Sequence, residues 1–289
     1  MREPAIRNVS DTALAVAWYR AQESERPDAL FRDPYAARLA GPRGAATAAA
    51  MPSPDVGVQI LAVRTRIIDD YIREGVAGGV DTVLNLGAGL DSRPYRMELP
   101  AELLWIEADF APMIEYKEAA LADQKPQCRL ERIKVDLSEH EARKAALTLA
   151  DARATKMLVL TEGVITYLTE EQVGALADDL HGLAHARYWI TEYFSPEFLR
   201  LRQKRKFRNK FKNAPLQFSP KDWFGFFAQH GWRPKEIRYI AEEAERWKRP
   251  LRLGMGLRMM VAMRTLFASP EQRREFLRFH GHALLEPKP

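Results

Sequence analysis

The chain has 289 residues, a formal net charge of +5, one cysteine and six scattered histidines. At this length a folded chain hides roughly three quarters of its unfolded surface. Cys128 alone builds neither a disulfide nor a multi-cysteine zinc site, so no metal is expected. The charge is too mild to indicate nucleic acid by itself. Residues 1–20 lack the basic-then-apolar order of a signal peptide. No run reaches the about 18 uninterrupted apolar residues of a membrane span, and the chain reads as soluble and cytoplasmic.

In chain order, Ser10–Ser24 carries apolar residues at helical spacing behind Ser10 or Asp11 as N-cap. Pro34 interrupts it by disfavouring helix at Asp33, and a second helix is expected from near Pro34 to Gly41-Pro42. Residues 42–54, small, Ala-rich and punctuated by proline, predict a surface loop. Val56–Ala77 reads as one long helix that carries Arg64 and stops at Gly78-Gly79.

From Val80 onward strand and helix alternate. Apolar runs at Val80–Leu86, Leu103–Ala108, Leu130–Val135, Lys156–Thr161 and Arg187–Glu192 predict five strands. Helices are predicted between them at Ser92–Met97, Pro112–Gln124, Glu139–Asp151 and Thr169–Ala184. After Tyr193 come a basic segment, Ser195–Lys212, an aromatic helix, Ser219–His230, and a sixth strand, Arg233–Ile240. A helical stretch, Ala241–Arg278, leads to a seventh strand at Phe279–Leu285. The fold class is α/β, a mostly parallel sheet with helices on both faces. No repeat of fixed period points to a solenoid. The organisation expected is one domain: an N-terminal helical cap (1–78), a cofactor-binding core (79–194), and a substrate-side insertion with C-terminal strands (195–289).

The most informative stretch is Asn85-Leu-Gly-Ala-Gly-Leu-Asp91, directly after the first strand of the series. Gly87 and Gly89, flanking Ala88, let the backbone turn sharply and approach a ligand without a Cβ in the way. Glu107 and Asp109 end the next strand, Asp109 about twenty residues past the turn, where dinucleotide folds place the acidic residue that accepts from ribose hydroxyls. The third glycine of the dinucleotide pattern is missing. A pyrophosphate needs the close helix packing that glycine allows. A nucleoside bonded to an amino acid does not, which favours S-adenosyl-L-methionine over a nicotinamide cofactor.

Asp136-Leu137 follows the third strand and suits either an adenine contact or a helix start. Glu162 ends the fourth strand, at the edge where open α/β sheets bind ligands, and either holds an ammonium group or is solvated. Arg64 pairs with a carboxylate or serves as a surface helical arginine.

Together with Val9–Leu14, Asp28–Pro34, Ala36–Ala40, Arg64–Arg66, Glu115–Lys117 and Leu160–Gly163 with Tyr167-Leu168, these residues resemble the leucine carboxyl methyltransferase family. The likeness is greatest to its bacterial members and the tetracenomycin-type polyketide O-methyltransferases, and it runs in order from Val9 to Tyr193. The resemblance implies a class I methyltransferase fold, a Rossmann-like sheet of seven strands, with S-adenosyl-L-methionine as cofactor. By motif position Arg64 is similar to the arginine that holds the cofactor carboxylate, and Gly87 to the glycine under its methionine part. Asp109 is similar to the ribose-binding aspartate, Asp136-Leu137 to the adenine-contacting pair, and Glu162 to the acidic residue after the fourth strand. Ser195–Lys212 and Leu251–Arg264 have no family counterpart.

Methyl transfer from a sulfonium asks the protein mainly to orient and desolvate the acceptor. A carboxylate is already ionised, whereas a phenol with a pKa near about 10 gains from a base. No dedicated base stands out: His181 falls in a predicted helix and His185 directly follows it. Tyr167, Tyr193 and Phe194 follow the fourth and fifth strands, and either line the acceptor pocket or are core aromatics. Eight lysines and arginines between Arg200 and Lys212 form a solvated helix face, a lid over an anionic acceptor, or a docking surface for an acidic carrier protein.

The function expected is O-methylation of a carboxylate or phenolic hydroxyl of a small molecule. The alternatives are a protein C-terminal carboxyl methyltransferase, a nicotinamide-dependent oxidoreductase, a catalytically silent scaffold, or a nucleic-acid-binding module built on the basic stretch, which lacks a recognition motif.

Overall fold

The computed structural model describes residues 9–51, 54–203, 216–251, 269, 272, 275 and 277–288. One sheet organises these residues. Its strands are β1 (Thr82–Leu86), β2 (Leu104–Asp109), β3 (Arg129–Lys134), β4 (Met157–Thr161), β5 (Ala186–Phe194), β6 (Trp232–Tyr239) and β7 (His280–Pro287). Their spatial order is β3-β2-β1-β4-β5-β7-β6. Neighbours from β3 to β5 pair in parallel, and β7 runs antiparallel between β5 and β6. Each of the five apolar runs and both later predicted strands forms a strand, shifted at the ends by a residue or two. β1 and β4 are buried along their whole length, as doubly covered parallel strands require. β6 contains Pro234, which the sheet tolerates because this strand lies at its edge.

The helices are α1 (Val9–Ser24), α2 (Ala36–Ala40), α3 (Gly44–Ala50), α4 (Pro54–Ala77), α5 (Arg93–Arg96), α6 (Ala111–Ala120), α7 (His140–Asp151), α8 (Glu170–His181), α9 (Pro196–Gln203), α10 (Trp223–Gln229) and α11 (Ile240–Arg246). One sheet face packs on α7, α8 and α10 through Leu147, Leu176 and Phe227. The other packs on α4 and α11 through Ile67, Tyr71 and Ile240. Within the expected loop at 42–54, residues 44–50 are instead helix α3. The alanine run has the highest intrinsic helix propensity, and its small side chains pack closely: Ala48 is buried with Ala15, Tyr19 and Leu61. The Tyr19 hydroxyl donates to Ala48 O at 3.0 Å. The basic segment beyond Gln203, and the Arg/Met-rich stretch from Arg252 to Arg264, lie outside the described residues.

The strand order reverses between β1 and β4, so their carboxyl ends diverge into the crevice where such sheets bind ligands. A buried ionic network shapes that crevice. Arg93, 2% exposed, reaches Asp69 of α4, Asp91 after β1 and Glu162 after β4, each at 2.7 Å. Arg96 also bonds Asp69 at 2.7 Å. On the other flank Arg20 of α1 pairs with Asp33 at 2.8 Å and donates to Leu90 O, while the Ser92 hydroxyl donates to the same Asp33 at 2.6 Å. The N-terminal helices therefore clamp the turn that follows β1.

Burial opposes ionisation of Asp69, but Arg96 and Arg93 outweigh it and keep the carboxyl below its usual range. Removing one member of such a group strands the others without compensation. Asp69→Ala is expected to lower unfolding free energy by about 3–5 kcal/mol in urea titrations. Arg26→Ala, which breaks an exposed pair with Asp28, is expected to change it by less than about 1 kcal/mol.

Candidate active site

Two left-handed glycines form the turn after β1. Gly87 has φ +65° and Gly89 φ +47°. A Cβ on Gly87 would lie 2.5 Å from Val164 Cγ2, so the position excludes a side chain on packing as well as conformation. Gly87 N donates to Ala108 O at 2.8 Å, and the buried Ala88 N to the same oxygen at 3.4 Å. Asp109, at the end of β2, accepts from Gly89 N at 2.6 Å on Oδ2 and from Phe110 N at 2.7 Å on Oδ1. Each carboxylate oxygen retains a further acceptor site. Burial raises the Asp109 pKa, with the two N–H donors acting against it. Sequence spacing alone placed this aspartate beside the turn, and here it bonds to it.

Arg64 and Glu162 are brought together. Arg64 Nη2 lies 2.7 Å from Glu162 Oε1, while Arg93 takes Oε2. Glu162 is thus not solvated, and Arg64 is not a surface arginine; both are mostly buried. Burial would raise the Glu162 pKa, but Arg93 and Arg64 prevail and hold it at about 2. Arg64 Nε is buried with no hydrogen-bond partner among the described residues.

Asp136 Oδ1 accepts from Ser138 N and Oγ at 2.9 and 2.6 Å, a local turn in which Glu139, not Asp136, is the N-cap of α7. Leu137 packs partly buried on the sheet core.

The candidate acceptor-pocket residues separate. Tyr193 is a core aromatic, packed edge-on against Trp223 and Tyr239 on the α10 side. Phe194, one residue on, emerges on the opposite face and stacks on His280 at 4.7 Å. Tyr167 is half-buried at the end of a short 3₁₀ turn after β4. A cavity of about 830 Å³ lies between α8, α9 and α10, lined by Glu170, Leu199, Arg200, Lys221, Asp222 and Phe226. None of the cofactor candidates lines it. His181 packs against Trp232, and His185 lies near Asp151 beside the amino end of β5, away from the ligand edge.

Sequence reasoning did not single out Glu192. It is 3% exposed on β5, and its Oε1 accepts from Gly163 N in the turn after β4. Burial pushes its pKa up to about 7, against the pull of Arg64 and the Gly163 N–H. Directly across the strand pair lies His282, fully buried. The available signal was a carboxylate and a histidine inside strands otherwise read as buried, where a polar group is the informative observation.

The family model for leucine carboxyl methyltransferase matches residues 13–181. The chain belongs to the leucine carboxyl methyltransferase family. Provisionally named S-adenosyl-L-methionine-dependent methyltransferases of a Parafrankia species and of Frankia alni are similar to it, at 34% and 32% identity. The first alignment covers 81% of this chain and 80% of the relative, the second 83% and 88%. A solved structure of a provisionally named methyltransferase from Thermobifida fusca aligns at TM-score 0.54 and 16% identity, over 99% of this chain and 96% of that one. A DUF574 family protein from Streptomyces avermitilis aligns at 0.53 and 13%, over 96% and 97%. These two structures share the α/β methyltransferase fold. This family member is an S-adenosylmethionine-dependent methyltransferase. Among the described residues no helix is long and apolar enough to cross a membrane.

A carboxyl with a raised folded-state pKa stabilises the fold below its unfolded value and loses that contribution as pH rises. For Glu192 the window runs from about 4.5 to about 7, and the penalty above it is on the order of 3 kcal/mol. Glu192→Gln is therefore expected to melt higher than the wild type at pH 8, with the gain shrinking toward pH 4.5. A pH series of thermal melts checks this.

Proposed function

We propose that the protein is an O-methyltransferase that moves the methyl group of S-adenosylmethionine to a carboxylate or phenolic hydroxyl of a small molecule. The observation that carries the cofactor placement is the bond from Gly89 N to Asp109 at the carboxyl ends of β1 and β2, beside the reversal of strand order. The residues fit the donor. The Gly87 turn has no Cβ, Asp109 keeps acceptor sites for ribose hydroxyls, and Arg64 has a buried Nε with no partner among the described residues near the end of β4.

In this reading Arg64 holds the cofactor carboxylate, and the turn Gly87-Ala88-Gly89 supports the methionine part. Asp109 grips the ribose, Asp136 and Leu137 meet the adenine, and Glu162 keeps Arg64 in place. When bound, the cofactor supplies an electrophilic methyl on sulfur. The protein orients the acceptor oxygen in line with that carbon and excludes water. Enforced geometry of this kind is worth roughly 7–11 kcal/mol. The family name supports a second reading, methylation of a protein's C-terminal carboxylate, in which the acceptor is a peptide end.

S-adenosylhomocysteine is expected to raise the melting temperature, and NAD is not. Asp109→Asn, which keeps the side chain's shape, should weaken S-adenosylhomocysteine at least about tenfold in calorimetry, since hydrogen bonds to a charged group contribute about 1.5–3 kcal/mol. Equal affinity in both proteins would remove the ribose role from Asp109.

A further inference from the structure

Two glutamates stand side by side at the ligand edge and are held differently. Strands β4 and β5 pair in parallel up to Leu160 and Ile190, both in the core under α4. Two residues further on, Glu162 and Glu192 therefore leave neighbouring chain segments on that same face. Two carboxyls this close do not ionise equally. Glu162 takes both nearby guanidiniums, Arg64 on Oε1 and Arg93 on Oε2, each at 2.7 Å, and is held at about 2. Glu192, 3% exposed, instead accepts on Oε1 from Gly163 N.

That bond governs more than one residue. The Gly163 N–H belongs to the rigid peptide that joins Glu162 to Gly163, so its orientation directs the chain on both sides. Upstream is Glu162, which holds Arg64. Gly163 itself is left-handed at φ +71°, and a Cβ there would stand 4.0 Å from Arg64 Nη1. Downstream is Val164, whose Cγ2 would stand 2.5 Å from a Cβ on Gly87. One carboxyl on β5 thus steadies both the arginine and the wall of the glycine turn. Trp223 of α10 ties the strand down at this point, donating from Nε1 to Glu192 O at 3.2 Å.

The charges around Glu192 decide which of its forms the site accommodates. Among the described residues three guanidiniums, Arg64, Arg93 and Arg96, are ion-paired with three carboxylates, Asp69, Asp91 and Glu162. That group is balanced without Glu192, and burial pushes the Glu192 carboxyl up to about 7, with Glu162 adding to the rise and Arg64 opposing it. His282, across the β5–β7 ladder, brings no charge: burial, His280, Arg64 and Arg93 all keep its imidazole neutral. Burial likewise holds the Tyr71 phenol of α4 above its usual range, and its hydroxyl donates to His282 O at 3.1 Å. A neutral Glu192 still accepts from Gly163 N through its carbonyl oxygen. Once ionised, it competes with Glu162 for Arg64.

We propose that Glu192 is a positioning residue for the methyl donor: from β5 it fixes the Glu162–Gly163 peptide, and with it the Arg64 guanidinium and the wall of the Gly87 turn. The inference rests on the placement of the donor's carboxylate at Arg64, and Glu192 acts through Gly163 and Arg64. A carboxylate brought to Arg64 disfavours an ionised Glu192, so binding raises the Glu192 pKa and takes up a proton. Affinity is therefore fully present below about 7 and falls as pH rises through that value.

Calorimetry at pH 6 and pH 8 compares S-adenosylhomocysteine with methylthioadenosine, which keeps the adenine and ribose but has no carboxylate. The wild type is expected to bind S-adenosylhomocysteine at least about threefold more weakly at pH 8 than at pH 6, and methylthioadenosine equally at both. Glu192→Gln carries no charge and accepts from Gly163 N through its amide oxygen, so it should flatten the S-adenosylhomocysteine profile. Glu192→Ala removes the acceptor and should bind S-adenosylhomocysteine at least about fivefold more weakly than Glu192→Gln at both pH values. Where Glu192→Ala does not fold, the Glu192→Gln profile decides alone. A wild-type affinity that is flat or rises with pH, a fall shared by methylthioadenosine, a fall that persists in Glu192→Gln, or equal affinity in the alanine and glutamine variants would overturn the proposal. Arg64→Ala separates the two possible failures: if it binds S-adenosylhomocysteine as the wild type does, the placement of the donor's carboxylate is itself wrong.

Discussion

The guanidinium of Arg93 is the interaction on which the ligand edge depends. It is nearly inaccessible to water, yet it contacts carboxylates from a helix, from the turn after β1 and from the end of β4. A planar fork of donors can satisfy several carboxylates at fixed angles, which a lysine ammonium cannot. Burying one cation among Asp69, Asp91 and Glu162 ties α4 and both central strands to one point. Burial opposes the charge, but the three carboxylates prevail and raise the Arg93 pKa.

This arrangement explains how a site whose backbone must turn through two left-handed glycines is held still. The turn is braced on one side by Arg93 through Asp91, and on the other by Arg20 through Leu90 O. Asp109 bonds the turn from β2. For methyl transfer such rigidity is the main requirement, because the donor brings its own electrophile and the protein contributes orientation.

The same edge also carries groups that lower stability. Glu192 and His282 occupy positions where an apolar pair would continue the packing of Ile190 and Leu284. Inside the sheet, burial pushes the Glu192 carboxyl up to about 7, and across from it both nitrogens of His282 lack a partner among the described residues. Groups with strongly shifted pKa values cluster at functional sites, and buried ion-pair networks shift them as well.

The seven strands, their alternation with helices, the glycine turn and Asp109 were all legible in the sequence. They rest on local physics: apolar runs in most of the strands, glycine's freedom at positive φ, and a short fixed spacing within one strand–helix–strand unit. The loop expected at 42–54 is helix over 44–50, because alanine's helix propensity and the packing of Ala48 against α1 and α4 outweigh the flanking prolines. The pairing of Arg64 with Glu162, and the separation of Tyr193 from Phe194, needed the folded chain. So did the meeting of Glu192 with His282. Chain-distant contacts depend on which strands become neighbours and in what register, and a shift of one residue in the β5–β7 ladder would turn Glu192 or His282 to the other face. The sequence by itself thus determined the fold class and the glycine turn after β1. Only the tertiary structure decided which buried charges face one another at the ligand edge, because that depends on strand order and register rather than on any local pattern.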